Sequence, residues 1–152
     1  MRLVQVTPVY TPPVMPACRA ILTANQTIAS GAWLTINLNA VSYDTAGDFD
    51  VINHRWVCSE AGIYMIITNI SMVNITDGTI VGAMIRINGS SHSPFYRDVT
   101  GGTIDPSYSG SDIWPMSVND RVQMFAVQTS GIDKLVKAGA NYYTSLIIYR
   151  LS

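Results

Sequence analysis

Asp77-Gly78-Thr79-Ile80-Val81-Gly82-Ala83-Met84-Ile85-Arg86-Ile87-Asn88-Gly89 is the stretch whose reading decides the fold class. Its Asp-Gly and Asn-Gly ends supply residues that tolerate positive φ, the requirement of tight hairpin turns. Between them Ala83, Ile85 and Ile87 alternate with Met84, Arg86 and Asn88. A period of two gives a strand one buried face and one wetter face, so Thr79 to Ile87 reads as a strand of an outer sheet whose second face meets solvent. The same grammar continues outward in both directions. From Cys18 on, short β-branched and aromatic runs alternate with Gly, Asn, Asp and Ser clusters, and no stretch of a dozen residues holds a helical period. The fold class is all-β. Ser90 to Asp112, rich in Ser, Gly, Pro and Asp, reads as mostly loop with one short strand around Phe95 to Val99.

Two runs depart from alternation. Ile63-Tyr64-Met65-Ile66-Ile67 and Tyr142-Tyr143-Thr144-Ser145-Leu146-Ile147-Ile148-Tyr149 are apolar or nearly so on both faces. In a two-sheet sandwich one face of a strand meets the opposite sheet, and the second face of these runs therefore needs another cover. Composition agrees. Apolar residues make up 48% of the 152-residue chain and charged residues only 12%, about half the usual share of roughly 25%. Partner subunits supply the missing cover most simply, so the expectation is a homo-oligomer.

Residues 1–16 read as an extended Pro-rich N-terminal arm, because Pro8, Pro12, Pro13 and Pro16 exclude helix interior and central strand. Leu3, Val4, Val6, Val9, Tyr10, Val14 and Met15 make the arm apolar, and they are the expected partner-binding residues. Residues 17–152 form the one remaining domain. Nine basic residues are scattered from Arg2 to Arg150 with net charge −1, which argues against nucleic acid and anionic membrane as partners. No apolar stretch approaches the ~20 residues that span a bilayer, and the interrupted N-terminus gives no signal-peptide core.

Catalytic and metal chemistry find no pattern. His54 and His92 lie far apart without a ligand at metal spacing, and no nucleophile elbow or phosphate-binding glycine loop occurs. Asp44, Asp48 and Asp50 crowd one turn without the alternating oxygens of a calcium loop, so they read as solvated turn carboxylates. Cys18 and Cys58 read as buried thiols, with a bridge between them left open. The expectations are no enzyme, no metal and no cofactor.

A resemblance sharpens the fold. Ile36-Asn-Leu-Asn-Ala-Val-Ser-Tyr43-Asp44, Gly47-Asp-Phe49-Asp50, Arg55-Trp56-Val57-Cys58 and Ala61-Gly62-Ile63-Tyr64 resemble, in order and spacing, the complement C1q globular-head domain. Ala61 stands where that family usually has proline. Ile85-Arg86-Ile87-Asn88-Gly89, Val118-Asn119-Asp120-Arg121-Val122 and the closing Tyr143 to Tyr149 continue the likeness over residues 18–152, with Asn119 and Ser145 replacing family glycines. The resemblance implies a ten-stranded, two-sheet jelly-roll sandwich shared with tumour necrosis factor (C1q/TNF-like), homotrimeric through its inner sheet. Tyr64, Ile66, Phe125, Tyr143, Ser145 and Ile147 are the expected trimer-interface residues, and a one-residue slip would exchange them for their neighbours.

The functional expectation joins trimer and arm. It is a virion structural protein, a trimeric capsid decoration (cement) protein that stabilises a tailed-phage head, made in the host cytoplasm, with the major capsid protein as partner. The alternatives are a fibre-tip or head-fibre receptor-binding module and, further off, a secreted C1q/TNF-like binding protein.

Overall fold

The computed structural model describes residues 14–139 and 143–152. Among them run thirteen strands in two antiparallel sheets and no helix, as the alternation predicts. Numbered in chain order, the seven-stranded sheet holds β1 (Ala17–Ile21), β2 (Gln26–Ile28), β4 (Ala40–Asp44), β7 (Gly62–Val73), β10 (Ser107–Met116), β12 (Lys134–Val136) and β13 (Ser145–Arg150). The six-stranded sheet holds β3 (Leu34–Thr35), β5 (Phe49–Asp50), β6 (Arg55–Val57), β8 (Ile80–Ile87), β9 (Ser90–Asp98) and β11 (Arg121–Gln128).

Both doubly apolar runs lie in the seven-stranded sheet, side by side: β7 pairs with β13 from Tyr64↔Arg150 to Asn69↔Ser145. On its other edge β7 pairs with β10 along ten residues. The core fills the space between the sheets. Tyr64, Ile66, Ile70 and Met72 from β7, with Leu146 and Ile148 from β13, meet Val81, Ala83 and Ile85 from β8 and Val122, Met124 and Ala126 from β11. At one pole the Trp56 and Tyr64 rings tilt together with centroids 5.1 Å apart.

Three expectations change here. β8 does put Ala83, Ile85 and Ile87 in the core, but its second face is not open. Gly82 is buried, because a Cβ there would come within 3.1 Å of both Trp33 and Tyr96, so the Trp33 loop lies over this part of the sheet. Ser90 to Asp112 is not mostly loop: it carries β9 and the first half of β10, joined by residues 99–106. Each is the last strand of its sheet on that side. Edge strands tolerate the Ser, Gly and Pro that made the segment look like loop, and Pro94 and Pro115 sit in them. The ten strands expected become thirteen, because short pieces such as β3 and β5 count separately.

Candidate assembly face

Because β7 and β13 bury one face in the core, their other residues point away from the sandwich. Register fixes the rows. Ala17, Tyr149, Met65 and Ile113 lie abreast across β1, β13, β7 and β10, and the next row is Tyr43, Arg19, Ile147, Ile67 and Ser111. Ile63 and Pro115 pair beyond the first row. Ile63 is 44% and Ile113 54% exposed, and Arg19 is the one charge in these rows. The third row turns polar: Ser109 Oγ donates to Asn69 Oδ1 at 2.5 Å, and Asn69 Nδ2 donates to Ser145 Oγ at 3.1 Å. The face is an apolar field bounded on one side by a hydroxyl and amide ladder.

The expected interface residues divide against this geometry. Ser145 and Ile147 lie in the outward rows, Ile147 half-buried and Ser145 already covered within the single chain. Tyr143 is exposed just before β13, with Lys137 Nζ 4.6 Å from its ring centre. Tyr64 and Ile66 do not face outward. Both are fully buried in the core, and Tyr64 Oη donates to the Glu60 carbonyl at 2.7 Å. The slip falls within β7, where Ile63, Met65 and Ile67 take the outward positions. Phe125 lies on the far side of the molecule, in β11 of the other sheet, with the Arg86 guanidinium 4.0 Å over its ring. Of the arm residues, Val14 and Met15 are exposed, while Leu3, Val4, Val6, Val9 and Tyr10 lie outside the described residues.

The arm root is anchored. Thr45 Oγ1 donates to the Met15 carbonyl at 3.2 Å, and Arg150 N donates to the Pro16 carbonyl at 3.0 Å. Met15 and Pro16 are therefore held at the pole that also carries the 45–48 loop and Arg150.

The acidic turn spends its carboxylates locally. Asp44 accepts from Gly47 N and Phe49 N, Asp48 from Ser59 Oγ, and Asp50 from Ile52 N and Asn53 N. His54 binds the Leu38 carbonyl at 2.8 Å, and His92 packs edgewise on Trp114. Among the described residues no group of three or more His, Cys, Asp or Glu is placed to hold a metal.

Cys18 and Cys58 are both buried free thiols. Burial pushes the Cys18 thiol up from 9.0 to about 12, with the Asp44 and Asp48 charges adding to it. Burial raises Cys58 as well. Neither thiol is expected to react with Ellman's reagent in the native protein at pH 8, and both should react once it is denatured. A fast native-state reaction would show that one of them is open to solvent. The sign for stability follows by linkage. Below the ordinary thiol value of 9.0 the Cys18 contribution is complete. It is lost as pH rises toward about 12, because the unfolded thiol ionises first.

No protein-family model matches the sequence, and no curated protein does. Solved structures match over most of the chain. The globular domain of zebrafish complement 1qA protein is 14% identical, with 91% of this chain and 98% of that chain covered at a TM-score of 0.65. Murine APRIL, solved at pH 8.0, is 9% identical, with 91% and 100% covered at 0.69. Eiger TNF from S. frugiperda is 9% identical, with 91% and 93% covered at 0.62. The fold is thus a C1q/TNF-like jelly roll.

Proposed function

We propose that the chain is a non-catalytic assembly module that works as a homotrimer joined through the outward face of its seven-stranded sheet. The apolar field of Ile63, Met65, Ile67, Ile113, Ile147 and Tyr149 carries this reading. Large contiguous apolar patches on a folded surface mark contact sites. Burying them contributes roughly 25 cal/mol per Å² of apolar surface. The number three comes from the likeness to the C1q head domain.

In its most specific form the trimer is a cement protein of a tailed-phage head, and residues 1–16 contact the major capsid protein. The near absence of charge in that arm supports a buried contact with something larger. A second reading, a receptor-binding module of a fibre or of a secreted protein, draws on Tyr96 and Trp33, whose rings meet edge to face at 5.7 Å on the outside of the six-stranded sheet.

Sedimentation equilibrium tests the core of the proposal. At low micromolar concentration the full chain should show three times the chain mass, and Ile67→Arg should show one chain mass with an unchanged circular-dichroism spectrum. A full chain that sediments as a monomer at micromolar concentration would remove the reading. For the shell contact, cosedimentation with capsids should be lost on deletion of residues 1–13, which spares the anchored Met15 and Pro16 carbonyls.

A further inference from the structure

The pole that holds the arm root has its own opening, a cleft of about 330 Å³ whose lining includes Asp48, Phe49, Asp50, Val57 and Val118. Part of its apolar lining stands without cover, Val118 being 52% exposed. Its charge is of one sign. Asp48 and Asp50 line it and no basic residue does, Asp50 being paired with Arg55 at 3.4 Å. Asp48 is nearly buried, and desolvation together with Asp44 and Glu60 raises its carboxyl above the ordinary value. A cation placed in the cleft would relieve that carboxylate, and an aliphatic side chain beside the cation would cover Phe49, Val57 and Val118.

The arm has that chemistry. Arg2 is the sole charge in residues 1–16, and Leu3 and Val4 follow it directly. We propose that the Arg2-Leu3-Val4 segment of one copy seats in the acidic-apolar cleft of another copy. Reach favours a second copy over the cleft beside the arm's own root. Four prolines in residues 1–16 favour an extended polyproline geometry, which advances about 3.1 Å per residue. Twelve residues separate Arg2 from Val14, so an arm in that geometry would let Arg2 reach on the order of 37 Å from the root. Arms exchanged in this way link one trimer to the next, which suits a protein tiling a larger surface. The inference rests on residues 1–16 being a binding arm, and it adds a seat for that arm on the protein itself.

The test uses full chains. Sedimentation velocity of the wild type should show growth from the base assembly to multiples of it as concentration rises. Arg2→Glu and Val118→Asp chains should each stay at the base mass, and Asp48→Asn, which removes the more buried carboxylate of the lining, serves as a second cleft variant. Full-length Arg2→Glu presents empty clefts. It should bind a fluorescent peptide of residues 1–11 saturably, at least tenfold more weakly when Val118→Asp is added, and more weakly as salt rises. Absence of peptide binding, binding unaffected by Val118→Asp, or identical masses for wild type and both variants would overturn the proposal. Capsid cosedimentation reads the arm's other contact independently, so loss of one result leaves the other standing.

Discussion

Tyr64→Ala is expected to lower the unfolding free energy by about 3–5 kcal/mol, the usual cost of truncating a buried aromatic. Met65→Ala, one residue on, is expected to leave the unfolding of a single chain nearly unchanged and to weaken association instead. The contrast follows from the strand's period. Tyr64 is fully buried against Trp56, and its hydroxyl reaches the Glu60 carbonyl, so truncation leaves a cavity and leaves that carbonyl with the weaker Cys58 Sγ donor at 3.0 Å alone. Met65 is only half-buried and sits in the outward row between Tyr149 and Ile113. Because association adds to apparent stability by mass action, both should be measured by urea denaturation in the Ile67→Arg background, where chains are single. Tyr64→Phe separates the two parts of the effect: the ring stays and about 1 kcal/mol of hydrogen bonding goes. A Tyr64→Ala chain with an unchanged urea midpoint but a reduced assembly mass would place Tyr64 on the association face after all.

That pair of neighbours also shows where sequence stops being readable. The all-β class and the sheet holding both doubly apolar runs were legible, because runs without polar interruption leave no side for water. In β13 the parity that the resemblance implied, with Ser145 and Ile147 on the side away from the core, is the one found. In β7 it was not. Ile63 to Ile67 is apolar at every position, so alternation carries no phase, and only the register against β13 and the Tyr64 hydroxyl's reach to Glu60 set it. Phe125 failed for a different reason. Which sheet a strand joins is decided by long-range pairing, here Phe125 opposite Met84 and Thr35, and no local pattern encodes that. In the acidic turn Asp44 and Asp50 bond the turn's own backbone, but Asp48, expected to be solvated, is nearly buried. The cleft beside it was invisible, because it joins residues from the 47–50, 57–59 and 118–119 segments.

β9 and β10 were hidden by their own edge chemistry, and that chemistry gives the second large effect. Gly110→Val is expected to destabilise the fold by about 3 kcal/mol or more, the upper range for overpacking. Gly110 pairs with Thr68 on the inward side of β10, and the Phe95 ring lies directly on it, so that any Cβ would sit inside the ring's contact distance. Phe95 has little room to yield. It packs against the core from β9, opposite Ala83, and the surrounding seam holds it: Ser93 Oγ donates to Asp112, Arg97 Nη1 donates to the Ser107 carbonyl at 3.1 Å, and His92 meets Trp114 with ring centres 4.5 Å apart. These three contacts, with Phe95 on Gly110, close the side of the sandwich where both sheets end. Opening it would bare two strand edges, the usual template for aggregation, so Gly110→Val should also lower the soluble yield. A double-mutant cycle checks the cause. Phe95→Ala alone should cost a few kcal/mol for the cavity. The Gly110→Val, Phe95→Ala double variant should then be clearly more stable than the sum of the two losses predicts, because the valine fills the space the ring vacates. Strictly additive losses would show that Gly110 is not required by the Phe95 ring.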